Sequence, residues 1–542
     1  MTMESGGARM SAGRVACAMA TATTAALLLP AASPALGQTL PQVPDVASAS
    51  APVPTTYVMP SVAVLATQSS NAGLGAGRTN SRSDTLLDVT PRVFLQSHHA
   101  RWQFQGDLSV HGTYFVRGTN PDVVAPVGTA GLHSEWVKNF LFLDANYTAS
   151  QYSVSPYAGQ GGALQGTSYT NSQWRISPYI DRRLQSGLHL LARSDDTWSQ
   201  TSNASSQSAV GGGRYLQQSL LLEQRPQRFG YGLEARQSYA TYDGNPYGWT
   251  RNTSLRVIGD VAVGTHTVFG LIGGREKMQA ASSNVDSAIY GARVAWNPGA
   301  YANVGATVEH RFFGTGWRAS AAAGTAQSRL SVNWQRDATS SLAPLTGSGT
   351  GGINPTANIG ELLNSLLVTQ YPNPLERARA VQSLLGSAGL PAGLATSGSF
   401  YIGTTVLQNN LVLTGLVLRE RDSLALSVYH DRVESLILPG QQILQVLQAR
   451  LINTVQTGWA LNYGHRLTPL ANLNITLQRE VDTGFASSQG LSAVNRALIV
   501  QVDRRLSPRT SGLVGLRRRL LNSTQVAGGN ETAVFVGLVH RF

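Results

Sequence analysis

The sequence predicts an all-β protein, a transmembrane up-and-down antiparallel β-barrel of roughly 22 strands, give or take about four, with a short two-helix insertion in one long loop. Three observations predict it. Apolar and polar residues alternate with period two, segment after segment, to the last residue, and period two puts one set of side chains on each face of a strand. The connections between these segments alternate short and long, like the turns and loops of outer-membrane barrels. Charged residues make up only 13% of the 542 and mean hydropathy is −0.08, yet beyond the N-terminal region no run of about 18 apolar residues offers a transmembrane helix. Low charge with middling hydropathy arises when lipid-facing and lumen-facing residues average out. Aromatic and β-branched residues run throughout, which argues against a disordered chain. A secreted β-sandwich array or β-helix also alternates, but it needs no strict succession of short and long connections.

Residues 1–37 read as a signal peptide: Arg9 and Arg14 form a basic start, Val15 to Leu29 is apolar, and Ser33-Pro34-Ala35-Leu36-Gly37 offers small residues for cleavage before Gln38. Cys17, the only cysteine, lies within this segment, so the mature chain is expected to have no disulfide and no thiolate metal site. Without Arg9, Arg14 and Glu4, 39 basic face 28 acidic residues, a net +11. Residues 38–54 are Pro/Ala/Ser-rich and read as a flexible lead-in. Residues 55–542 form the expected barrel.

Within it, Trp102, Phe104, Leu108, Val110, Tyr114 and Val116 share a parity opposite Gln103, Gln105, Asp107, Ser109, His111 and Thr113. Leu330, Val332 and Trp334 alternate with Ser331, Asn333 and Gln335, and Leu498, Val500 and Val502 with Gln501, Asp503 and Arg505. Short turns are expected at Ser97-His98-His99, Val137-Lys138-Asn139, Gly264-Thr265, Gly324-Thr325, Arg421-Asp422 and Ser507-Pro508, and longer outer loops at 153–168, 195–212, 241–250, 437–450 and 522–530. In the last segment Val534, Val536, Leu538, His540 and Phe542 share one face. Val536, Leu538 and the terminal Phe542 are the expected signal for the barrel-insertion machinery, with His540 standing where an apolar residue is more usual.

One stretch breaks the β pattern. Ile359, Leu362, Leu363, Leu366 and Leu367 recur at helical spacing behind a capping Asn358. Asn373-Pro374-Leu375-Glu376 then supplies an N-cap, a first-turn proline and an acidic third residue, with Leu375, Ala378, Val381, Leu384 and Leu385 following and Gly386 as a stop. Residues 341–400 are thus an outer loop with two short helices, a lid or a plug.

Phe140-Leu141-Phe142-Leu143-Asp144-Ala145-Asn146-Tyr147, Ser150-Gln151, Ser155-Pro156-Tyr157, Trp174-Arg175-Ile176-Ser177-Pro178-Tyr179, the helical loop and the strand Val534 to Phe542 together resemble the PEP-CTERM system-associated outer-membrane proteins. The resemblance spans most of the mature chain and rests on strand-and-turn patterns, with no catalytic signature. It implies an outer-membrane location and a link to exosortase and exopolysaccharide loci. The family carries no established functional residues to transfer.

No metalloprotease, P-loop or nucleophile-elbow motif is present, and Gly211-Gly212-Gly213 precedes no helix. His98-His99 and the pair Asp195-Asp196, expected in an outer loop, read as solvated features rather than metal sites. The chain is therefore not read as an enzyme, and no cofactor or metal is expected. Arg256, Arg505, Arg517, Arg519 and Arg541 fall on the polar parity of their strands. Arg256, Asp260, Asp337, Asp431, Glu480, Asp503, Arg505, Arg517 and Arg519 are the candidate lumen residues, either a path that attracts anionic solutes or a network of ion pairs filling the barrel. Asp107 belongs to the same set of carboxylates, while Arg518, on the other face, is placed to meet lipopolysaccharide phosphates. Trp102, Tyr114, Trp136, Trp198, Trp249, Trp296, Trp334 and Trp459 are expected in interfacial girdles, with sugar stacking by Tyr247 and Trp249 as the sharper alternative. Dispersed charge and export argue against nucleic acid as a partner. Lipid, lipopolysaccharide, the insertion machinery and an exopolysaccharide or its export proteins are the partners expected. The expected function is a conduit or docking pore for an extracellular polymer. Its rivals are a non-transporting scaffold and a barrel-embedded hydrolase.

Overall fold

A computed structural model describes residues 56–72, 74, 81–153, 155–158, 168–184, 187–202, 212–243, 245–281, 283–299, 301–340, 342, 357–367, 377, 380–381, 393–394, 405–436, 438, 453–526 and 528–542. The expected signal peptide, the lead-in and most of the second helical span, 374–385, lie outside the described residues. The three that are described there, Arg377, Ala380 and Val381, are helical.

The strands are β1 (Thr56–Ser69), β2 (Asp84–His98), β3 (Trp102–Phe115), β4 (Val123–Val137), β5 (Leu141–Ser153), β6 (Ser168–Arg183), β7 (Leu188–Ser202), β8 (Gly213–Gln224), β9 (Phe229–Tyr242), β10 (Asn245–Val263), β11 (Thr267–Ala280) and β12 (Ser283–Gly299). They continue as β13 (Ala302–Arg311), β14 (Gly314–Gly324), β15 (Ser328–Ser340), β18 (Thr405–Leu418), β19 (Asp422–Ser435), β20 (Thr454–Thr468), β21 (Ala471–Gly484), β22 (Ser492–Arg505), β23 (Thr510–Ser523) and β24 (Gly529–Arg541). Inside the loop between β15 and β18, a helix α1 (Ile359–Leu366) follows the two-residue strand β16 (Ala357–Asn358), which pairs with β17 (Gly393–Leu394).

Each barrel strand pairs antiparallel with its chain neighbour, and β1 closes the ring against β24, Ser61 opposite Arg541 through Ser69 opposite Ala533. The sheet has 22 strands, as the alternation predicts. Closure leaves no strand edge unpaired, the condition for β-structure in lipid. The terminal residue joins the seam, with the Phe542 amide donating to the Pro60 carbonyl at 3.0 Å. The shortest barrel strand, β13, has 10 residues, and about 9–11 suffice to cross a bilayer when tilted.

Alternation decides the two faces. On β10, Leu255, Val257, Val261 and Val263 are exposed outward while Arg256, Ile258 and Asp260 are buried inward. On β24, Val534, Val536 and Leu538 point out, and Glu531, Ala533 and Phe535 point in. Trp102, Trp136 and Trp296 stand near the turn-side ends of their strands, and Tyr114, Trp198, Trp334 and Trp459 farther toward the loop side, all outward and exposed. This is the interfacial girdle.

Two expectations fail at the outer rim. Residues 241–250 are not a long loop: β9 runs to Tyr242 and β10 begins at Asn245. The strands β11–β12 and β13–β14 are joined as tightly, and Gly314 at φ +94° turns the latter corner in a conformation open to glycine. Asp195 and Asp196 lie within β7, not in a loop. They alternate like their neighbours, Asp195 inward and Asp196 outward to Arg214.

Candidate functional site in the lumen

The inward parity of the strands builds a polar wall in patches. The largest runs from β9 to β15. Arg256 grips Glu309 with two parallel contacts, Nε–Oε1 3.0 Å and Nη2–Oε2 3.2 Å, and donates to Ser254 Oγ at 3.1 Å. Arg311 reaches Glu276 at 2.8 Å and Asp337 at 3.2 Å, and Arg318 meets the second oxygen of Asp337 at 3.5 Å. Asp260 pairs with Arg293 across β11. That contact exists because Gly270 lies between them: a Cβ there would sit 2.2 Å from the Asp260 carboxylate and 2.8 Å from Arg293 Cγ. A cavity of about 270 Å³ opens on this wall, lined by Gln217, Asn252, Arg256, Glu309 and Arg318 among others.

A second patch covers β18 to β21. Gln408 donates to both oxygens of Asp431 at 3.0 Å, and Gln456 to Asp482 at 2.9 Å. Glu480 and Tyr429 are buried beside them. A third patch spans β4 to β7, where Arg193 bridges Asp144 at 3.0 Å and Asp195 at 2.9 Å and its guanidinium lies 4.8 Å from the Tyr179 ring centre. A fourth is Arg517 on Glu531 at 2.7 Å, with Ser69 also donating to Glu531.

The candidate residues do not form one cluster. Arg256, Asp260 and Asp337 share the first patch, Asp431 and Glu480 the second, and Arg517 and Arg519 lie on β23. Asp503 accepts from Asn474 and Gln501 lower on the wall, and Arg505 is exposed at the end of β22. Asp107 holds Arg92. Sequence reasoning did not nominate Arg311, Glu276, Glu309, Arg293 or Arg193. Each sits on the inward parity of its strand, so parity was the available signal. Trp249 lies beside the exposed Tyr239, with ring centres 6.4 Å apart. The side chain of Tyr247 lies outside the described residues.

The helical loop enters the lumen. Ile359, Leu362, Leu363, Leu366 and Leu367 bury against Leu416, Ala425 and Ala460, all inward residues of β18, β19 and β20. Strand direction gives the depth. The loop leaves at the outer ends of β15 and β18, whereas Leu416 is near the far end of β18 and Ala425 near the start of β19, both next to the short turn 419–421. The helix is thus seated in the inner half of the barrel, a plug position rather than a lid. At the other end, outer segments cross the mouth. Leu342 packs on Tyr169, Ala240 and Tyr242, and Leu438 on Met278 and Ala280. Tyr157 donates to the Asn453 carbonyl at 3.0 Å.

No family model matches the chain, and no curated protein matches it. Among solved structures it is similar to the siderophore receptor PirA from Pseudomonas aeruginosa, at 10% identity and TM-score 0.42 over 91% of this chain and 81% of that one. It is also similar to the FrpB iron transporter from Neisseria meningitidis (F5-1 variant, apoprotein form), at 9% and 0.47 over 89% and 81%, and to the outer membrane protein opdK from Pseudomonas aeruginosa, at 8% and 0.33 over 90% and 99%. At such values no function passes from those proteins to this chain.

Proposed function

We propose that this outer-membrane β-barrel is a gated conduit for a polar extracellular polymer, with α1 as the inner gate. The observation that carries the reading is the seat of α1 on Leu416, Ala425 and Ala460. An apolar helix face held on an otherwise polar lumen wall is a detachable obstruction. The lining suits hydroxylated, largely uncharged cargo: the wall guanidiniums of the largest patch face carboxylates and are not free to capture anions, while amides and hydroxyls remain to bind sugars. The resemblance to PEP-CTERM system-associated barrels points to exopolysaccharide as that cargo.

The test is single-channel conductance of the refolded protein in planar bilayers. Leu363→Lys puts a charge into the apolar seat of α1, where Leu363 is fully buried. Conductance should rise severalfold with the barrel intact, and liposomes carrying the variant should admit neutral oligosaccharides that the parent excludes. A second reading, a docking scaffold, is favoured by the outer segments Tyr157, Leu342 and Leu438 crossing the mouth. Silence in the parent and in Leu363→Lys would select it.

A further inference from the structure

Most lipid-facing arginines of this barrel stand singly, beside a carboxylate, an amide or an aromatic ring. Arg214 is paired with Asp196, Arg275 with Asp286 and Arg432 with Glu434, each pair on the outward face. Arg336 stacks on Phe313 and Trp317. On β21, β22 and β23 three of them gather instead. Arg479 lies directly opposite Arg496. Arg518 stands opposite Leu498, the next outward position along β22 from Arg496. All three are exposed, and among the described residues none has an acidic partner. The four carboxylates of residues 454–541, Glu480, Asp482, Asp503 and Glu531, all belong to the inward parity.

Directly opposed residues have Cβ atoms about 5 Å apart and diagonal neighbours about 7–8 Å. Arg496 is at such spacing from both Arg479 and Arg518, and the like charges repel. The arrangement is stable where an anion supplies the missing charge. Its height is set by sequence. On the outward parity each arginine follows Leu477 on β21, Leu498 on β22 or Leu516 on β23 toward the loop side, and Arg479 lies directly opposite Trp459 of the loop-side girdle. The arginines therefore stand at the level of the loop-side aromatic girdle, where headgroups of the outer leaflet begin.

We propose that Arg479, Arg496 and Arg518 form a binding site for the phosphate of an outer-leaflet lipid headgroup, with the lipid's acyl chains lying on Leu477, Leu498, Val500 and Leu516 beneath. Guanidiniums bind phosphate oxygens bidentately, so three of them saturate one phosphate group or bridge two. The site is independent of the conduit reading, because it lies on the opposite face of the wall.

The test uses the full refolded barrel and native mass spectrometry from detergent micelles, with diphosphoryl lipid A as probe. The parent should retain the glycolipid, and the variant R479Q/R496Q/R518Q should bind it at least about tenfold more weakly. The dephosphorylated lipid should bind neither protein above background, and inorganic phosphate should not displace the bound lipid. Arg518→Glu serves as a folding control. It creates an ion pair with Arg496, so heat-modifiability on gels should be kept or raised while lipid binding falls. Equal binding of the dephosphorylated lipid, unchanged affinity in the triple variant, or displacement by inorganic phosphate would overturn the proposal.

Discussion

Arg311 shows what one residue can hold together in this wall. Its guanidinium is nearly buried against the fully buried Glu276, reaches Asp337 on β15, and lies near Phe313 at the corner of β13 and β14. The Glu276 carboxylate also accepts the Phe312 amide at 2.7 Å, so the same pair ties down the tight outer turn. Removing one partner of a buried pair strands the other charge. Arg311→Gln is therefore expected to cost about 3 kcal/mol. Urea unfolding of the barrel in micelles should show it as a lowered midpoint. The double variant R311Q/E276Q should recover part of the loss, since neither charge is left uncompensated, and a double variant no better than the single would refute the pairing as the cause.

Strands and helix divide the labour at the next scale. Strands that alternate strictly need only closure to satisfy their backbones, whereas α1 depends on a docking surface: an isolated eight-residue helix is marginal in water. Its seat consists of small or flexible inward residues, Ala425, Ala460 and Leu416, on three adjacent strands. The last strand is expected to carry an insertion signal. Val536, Leu538 and Phe542 are 58%, 52% and 64% exposed on the outward face and bury little within the barrel. Phe542→Ala should therefore leave the stability of refolded protein within about 0.5 kcal/mol of the parent, while lowering the amount of barrel assembled in cells, read by heat-modifiability of membrane fractions. Equal assembly of both proteins would remove the terminal aromatic as an insertion signal.

At the scale of the molecule, charge is what the lumen balances. The net charge of +12 invites the expectation of an anion-attracting pore. The wall from β9 to β15 instead pairs Arg256, Arg293 and Arg311 with Glu309, Asp260 and Glu276, and the carboxylates Asp431 and Asp482 are held by the side-chain amides of Gln408 and Gln456. The open channel of Leu363→Lys should therefore pass cations and anions with permeabilities of the same order. Reversal potentials under a salt gradient measure this, and strong anion selectivity would contradict the pairing.

The sequence by itself determined the barrel, because period-two alternation is a local property: each strand's inward and outward faces are written in its own residues. Thus Trp334 and Gln335, or Val502 and Asp503, fall on opposite faces without any knowledge of neighbours. The helical spacing of Ile359 to Leu367 was legible for the same reason. Only the tertiary structure decided which inward charges meet, since Arg256 and Glu309 are 53 residues apart and come together by strand register across two intervening strands. It also decided that Asp195 belongs to a strand and that the rim between β9 and β14 is turned by short corners, because where a strand ends at the outer side depends on its partners' lengths. The position of α1 was open between lid and plug for a related reason. Its apolar face specifies that it must be buried, but only the ring of strands supplies Leu416, Ala425 and Ala460 as the place.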